Sequence, residues 1–190
     1  MDMSAARTIW QGFHWTFFID VQGLVLSLAR FGDALTRGCM DSARIELRSA
    51  ATLLRASGAA MKLAGSFSPS EYNDEVRLSM MPPGVRSDNF SGLMSWDHAR
   101  LMRLWQELSP RLGDLPAALD DDHEHFVQAF VAMITAHREV CRRFVGEDSG
   151  SLRSSDCAVG ILEKVLRSRL KLIDPQQRHA VCPFSGRTAS

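Results

Sequence analysis

This 190-residue chain has no charge excess: 22 basic residues stand against 22 acidic ones. Bulk electrostatics therefore selects no nucleic-acid partner. A neutral surface also repels its own copies weakly, so a homo-oligomer is expected. Cysteine is scarce and scattered. Cys39, Cys141, Cys157 and Cys182 form no C-x-x-C pair, which argues against a zinc ribbon or a disulfide framework. Reduced thiols of a cytoplasmic protein are the reading that remains. Asp2 stands near the start and no basic region leads into an apolar core, so no signal peptide is expected. The most apolar stretch, 13–31, is broken by Asp20, Gln22 and Arg30, which argues against a membrane partner or span. Also missing are G-x-S-x-G, H-E-x-x-H, the P-loop and G-x-G-x-x-G. Their absence removes the usual hydrolase, zincin and nucleotide readings. No internal repeat and no strand alternation is found.

What is present is helical periodicity. Trp10, Phe13, Phe17, Val21, Leu24, Leu28, Phe31 and Leu35 recur at three-or-four spacing and predict a long helix over 8–36 with one buried stripe. Gly38 and Asp41 read as its C-terminal cap and the N-cap of a second helix over 42–63. That helix carries Ile45, Leu47, Leu54, Met61 and Leu63, with arginines outward. Ser68-Pro69-Ser70-Glu71 is a capping box with proline at the first position, opening a short helix that must end before Pro82-Pro83. Ser95 caps a fourth helix, stopped by Pro110 and Gly113. Asp120-Asp121-Asp122 opens a fifth, running to 145, with acids where the helix dipole favours them. A loop over 146–155 leads to a last helix over 156–173. The expectation is an all-α bundle of five to six helices in one domain over 1–175. The Pro/Gly/Ser tail over 176–190 has the composition of a disordered terminus.

Some positions carry chemistry. His137 falls in the stripe Phe126, Phe130, Met133, Ile134, Val140, Cys141, Phe144. The plain reading is a core histidine hydrogen-bonded to a neighbour; the sharper one is an axial ligand to haem iron. His14, among Trp10, Phe17 and Phe18, poses the same choice. Arg77 could clamp a carboxylate with its planar fork, or make weak surface pairs with Asp74 or Glu75. In Asp122-His123-Glu124-His125 the two imidazoles diverge by about 200° on a helix and cannot share an ion. A solvated helix start is the expectation there, since a carboxylate-bridged di-iron site would need a second i,i+3 pair. The segment 68–101 is the odd one. It packs arginines, Met80-Met81-Pro82-Pro83 and a Ser91-Gly92 turn into one connection, more than a joint between helices needs.

Several segments, in order, resemble the tryptophan 2,3-dioxygenase family of haem-dependent aromatic oxygenases. Ser68-Pro69-Ser70-Glu71-Tyr72-Asn73-Asp74-Glu75-Val76-Arg77 is similar to that family's Thr-Pro-x-Asp-Phe…Phe-Arg helix. Leu78-Ser79-Met80-Met81-Pro82 follows as its apolar step. Ser91-Gly92-Leu93-Met94-Ser95 resembles its Ser-Gly-Phe-Gln-Ser loop. The run from Ala136-His137 to Val145-Gly146 resembles the helix that ends in x-His…Val-x-Arg-x-x-Gly. The resemblance implies haem b, with His137 as axial ligand and the Ser91, Gly92, Ser95 and Trp96 stretch along the cofactor. It implies Arg77 on a substrate carboxylate, Tyr72 or Val76 lining an aromatic slot, and Ser149 and Ser151 as donors near the ammonium. The family's distal His-Gln falls on Phe17-Phe18 here, and His14, one turn earlier, is the catalytic candidate. The segment 84–90 is an insertion, and the stretch from Ser95 to His137 is short. The implied function is oxygen insertion from dioxygen into an aromatic amino acid or related indole. A bis-histidine haem sensor or carrier through His14 and His137, and a cofactor-free helical interaction module, are the alternatives from other classes.

Overall fold

The computed structural model describes residues 4–83, 95–145, 150–151 and 154–179. Among the described residues six helices make up the fold, as the periodicity predicts. Helix α1 spans Ala5–Thr36 and α2 Met40–Ala64. Helix α3 is a composite of Pro69–Glu71, Tyr72–Val76 and Arg77–Ser79. Then come α4 (Trp96–Gly113), α5 (Asp120–Val145) and α6 (Ala158–Ile173). A short 3₁₀ turn, Ala117–Leu119, leads into α5.

α1 and α2 form an antiparallel hairpin. Gly38 turns it at φ +68°, a left-handed conformation that glycine adopts without strain. The next cap differs from expectation: Cys39 occupies it without a side-chain bond, and Asp41 lies in the first turn of α2. α2 packs between α1 and α5, α4 packs on α1, and α6 packs on α5 and α4. The stripe of α1 holds, with Val21, Leu24, Leu28 and Phe31 buried. On α2, Leu47, Leu54 and Met61 are buried, but Ile45 and Leu63 face solvent. Arg44 and Arg48 are not free on the outer face of α2. Their Nε atoms donate to Asp122 at 3.2 and 2.6 Å, bridging α2 to the start of α5.

Three further expectations are corrected. Pro110 sits inside α4, which runs on to Gly113; the ring forfeits a backbone bond and crowds the carbonyl four residues earlier, yet does not end the helix. Between α5 and α6 a two-stranded antiparallel ladder, β1 (Gly150–Ser151) with β2 (Ser154–Cys157), takes part of the expected loop. The start of α5 is not solvated at every position, since Asp122 and His123 are both buried. Of the expected tail, Arg178 and His179 pack against α4 and α5, and 180–190 lie outside the described residues.

Apolar side chains fall into two groups. The larger, built from Leu24, Leu28, Phe31, Leu47, Leu54, Leu108, Phe126, Phe130 and Leu166 among others, fills the body of the bundle. The smaller lies where α1 begins and α2 and α5 end, and α3 closes it.

Candidate active site at the aromatic end of the bundle

The smaller group is unusually rich in rings. Phe67, Tyr72, Val76, Ala136, Val140 and Phe144 are buried in it, with Ile9, Trp10, Phe13 and Met80 packed at its edge. The local cause is legible. Ser68 accepts from the Glu71 N–H at 3.2 Å, and the Glu71 carboxylate accepts from the Ser68 N–H at 2.8 Å. The backbone bond from Ser68 first, and then the Ser68 hydroxyl, which donates to the same carboxylate at 2.7 Å, hold the Glu71 carboxyl below its ordinary value. Phe67 precedes this capping box and Tyr72 follows it, the two positions of a hydrophobic staple. Both rings lie flat against Phe144, at centroid distances of 5.1 and 4.6 Å. Trp10 meets Phe67 and Tyr72 edge-on, at 6.3 and 6.0 Å, which is the geometry aromatic quadrupoles favour.

Arg77 reaches the same place through a wider turn. Its N–H donates to the Tyr72 carbonyl, five residues back. In a regular α-helix five residues amount to about 140° beyond a full turn. Closing the ring at i+5 instead brings Arg77 back over Tyr72. The phenol registers it. Burial pushes the Tyr72 hydroxyl above its ordinary value, the Arg77 charge opposes that rise, and Cys141 adds to it. Tyr72 and Arg77, both candidate substrate-binding residues, are thus brought together.

His14 stands at the rim of this group. Its Nδ1–H donates to the Trp10 carbonyl at 2.8 Å, so the neutral ring keeps its lone pair on Nε2. Trp10 and Phe13 flank it at 4.9 and 5.3 Å between ring centroids. His137 is half-buried on α5, one residue from buried Ala136 and three from buried Val140. Both imidazoles therefore belong to this end of the bundle.

Ser95 caps α4 by accepting from the His98 N–H at 3.2 Å. Trp96 is 86% exposed and does not join the ring cluster. Ser151 lies on β1. Ser91, Gly92 and Ser149 fall outside the described residues. Phe67 was not among the residues singled out, although its place just before the capping box marks it as one arm of the staple. Asp20 was noted only as a break in an apolar run. It is in fact buried, accepting from the Ser57 hydroxyl at 2.8 Å, and burial raises its carboxyl above the ordinary value.

Among the described residues no group of three or more His, Cys, Asp or Glu side chains is placed to hold a metal ion by itself. No helix among them is long and apolar enough to cross a membrane. Of two surface grooves, one is lined by Glu139, Arg142 and Arg143 and the other by Ile45, Arg48, Ser49, Thr52 and Leu53. The first lies on the last turns of α5 beside Val140 and Phe144, with the Arg143 guanidinium 6.0 Å from the Phe144 ring centroid; the second lies on α2 away from the aromatic end. The aromatic end gathers stacked, buried rings, with the Arg77 charge felt at Tyr72 and imidazole nitrogens at its margin.

Comparison with known proteins points the same way. The family described as SfmD 3-methyl-L-tyrosine peroxygenase matches residues 1–125. A curated 3-methyl-L-tyrosine peroxygenase of Streptomyces lavendulae is 30% identical over 178 residues, covering 88% of this chain and 47% of that protein. The chain therefore spans about half the length of the curated relative it matches. No solved structure matches it.

Proposed function

The chain belongs to the SfmD 3-methyl-L-tyrosine peroxygenase family, and from that membership and the aromatic end of the bundle we propose a haem-dependent oxygenase acting on an aromatic amino acid. The observation that carries this reading is the meeting of Tyr72, Phe144, Phe67 and Trp10 with the Arg77 charge on one side and His14 on the other. The ordered motifs that resemble the tryptophan 2,3-dioxygenase family support the same cofactor. The relative's name, a peroxygenase, favours peroxide over dioxygen as the oxygen source.

The donor set fits a porphyrin iron. An imidazole whose one nitrogen is committed to a backbone carbonyl offers the other as ligand or base, and His14 has that arrangement. His137 would hold the iron from α5, and bound haem would supply the activation of the peroxide oxygen. The other roles belong to side chains. Arg77 would pair with the substrate carboxylate through two parallel hydrogen bonds. Tyr72, Phe144 and Trp10 would orient the substrate ring, because offset and edge-on contacts fix a plane as well as a distance. His14 would take a proton from the oxidant at Nε2 and return it. The apolar walls of Val76, Val140 and Met80 would keep water away from the reacting atoms.

Haem titration with optical spectroscopy tests the assignment. Haem should bind with about one equivalent per chain. His137→Ala should abolish the imidazole-ligated spectrum, while His14→Ala should preserve it but slow peroxide-dependent oxidation of 3-methyl-L-tyrosine by about 10²-fold or more. Protein that takes up no haem, or takes it up identically after His137→Ala, refutes the reading. A six-coordinate low-spin spectrum persisting in both redox states would favour a carrier over an enzyme.

A further inference from the structure

The end of the bundle away from the aromatic group holds a second assembly of titratable side chains that the proposed reaction does not use. Beyond α6 the chain turns back across the junction of α4 and α5. Asp174, itself buried, accepts from the backbone N–H groups of Arg178 and His179 at 3.0 and 2.9 Å. The Arg178 guanidinium donates to Asp120 at 2.9 Å and to the Leu112 carbonyl at 3.3 Å. A Cβ on Gly113 would lie 3.2 Å from the Pro175 ring, so the backbone of α4 passes close beneath. Under this strap lies His123, 0% exposed, whose Nε2–H donates to the Ile173 carbonyl at 2.6 Å. The His179 ring stands edge-on to it, 5.1 Å away between centroids. Among the described residues neither His123 Nδ1 nor His179 Nε2 finds a hydrogen-bond partner.

We propose that segment 174–179 is an acid-released latch, closed while His123 is neutral and opened when it is protonated. A proton added at Nδ1 would sit on a buried atom with no acceptor. It would face the His179 imidazole and the Arg178 guanidinium from the strap, both of which disfavour it. The Asp174 carboxylate at the end of α6 is the favourable neighbour, but both its oxygens already accept backbone N–H groups. Asp120, on the same helix, is taken by Arg178, and it lies 3.9 Å from His179 Nε2. Asp122 points to Arg44 and Arg48 of α2. From α4 only the Leu112 carbonyl takes part.

The direction follows from linkage. Burial first of all lowers the His123 value from 6.5, so the released segment binds the proton more tightly than the docked one. Latch stability is therefore complete above about pH 6.5 and falls as the pH drops below it. Carboxylates ordinarily titrate near pH 4 and contribute little between pH 5.5 and 7.5.

Hydrogen–deuterium exchange of the full chain, corrected for intrinsic rates, measures the protection of amides 177–179 at pH 7.5 and 5.5. Protection should fall by about tenfold at the lower pH. His123→Gln, which can still donate to the Ile173 carbonyl but cannot titrate, should show equal protection at both. His179→Phe keeps the ring contact and should keep the pH effect. The proposal fails if the unsubstituted chain is equally protected at both pH values, or if His123→Gln retains the full difference. Should that variant not fold, NMR titration of the His123 imidazole in the unsubstituted chain decides. A value at or above 6.5 overturns the latch, and one below it supports the latch.

Discussion

The body of the bundle and its aromatic end are both apolar, yet they are built differently. Four of the 24 buried residues in the larger group are aromatic, namely Phe31, Trp105, Phe126 and Phe130. In the smaller group three of eight are, and Trp10 and Phe13 press on it from outside. Aliphatic side chains on regular helices interdigitate and leave little room for a guest. In the smaller group, rings held by a capping box and a widened turn stack on one another, themselves buried, with Arg77 on the adjoining turn of α3 and His14 at the rim. Under the proposed function the first arrangement serves stability and the second recognition. Substitutions can separate the two.

The largest effect is expected in the body. Phe126→Ala, at a fully buried position, should cost about 3–5 kcal/mol in chemical denaturation and leave the affinity of the folded fraction for an aromatic amino acid unchanged. A selective loss of ligand affinity instead would erase the distinction. Next comes Arg77→Leu. Arg77 is exposed, so unfolding should hardly move, whereas losing a charge-assisted bond of about 1.5–3 kcal/mol should weaken ligand binding roughly 10- to 100-fold. Calorimetry with 3-methyl-L-tyrosine reads this directly. Tyr72→Leu should remove a stacked pair and destabilise by about 0.5–1.5 kcal/mol beyond the area lost, with poorer discrimination between ring-bearing and aliphatic amino acids. Tyr72→Phe, which keeps the stack, should behave like the unsubstituted chain in both respects.

The smallest effect concerns Asp20, between the two regions. Burial raises its carboxyl value above 3.8, so its stabilising contribution is complete below that pH and is lost as the pH rises through the folded-state value. Asp20→Asn can still accept from Ser57. It should raise the melting temperature at pH 7.5 by a few degrees at most, of order 1 kcal/mol or less, and the gain should vanish near pH 4. A melting-temperature difference independent of pH would mean that ionisation of Asp20 is not what matters.

Local signals carried much of this architecture. The three-or-four spacing of α1, the capping box at Ser68 and the acidic start of α5 each lie within a few residues of what they specify. That Tyr72 and Arg77 share one short helix was readable as a motif, and the bond from His14 to Trp10 spans a single turn. What escaped was long-range or finely geometric. Asp122 and His123 look solvated in a run of acids and histidines, because the arginines and the carbonyl that accompany their burial lie 50 to 78 residues away. Ile45 and Leu63 satisfy a helical period but fall on the side of α2 that no neighbour covers. Trp96 follows a good cap, yet the first turn of α4 lies at the rim and leaves its ring in water. The wide turn that redirects Arg77 has no compositional mark.

One feature of α1 has a mechanical side. Arg111 clasps its far end, donating to the Gly32 carbonyl and the Thr36 hydroxyl at 2.8 and 2.7 Å. From Gly32 to His14 is roughly 27 Å of helix at 1.5 Å per residue. Between the two, Val21, Leu24, Leu28 and Phe31 are buried, so a movement at the clasp is carried along a packed rod. Under the proposed function, a tilt of about 2° there would displace the imidazole by about 1 Å, enough to align or misalign a proton transfer, so side chains that never touch a substrate would share control of that step.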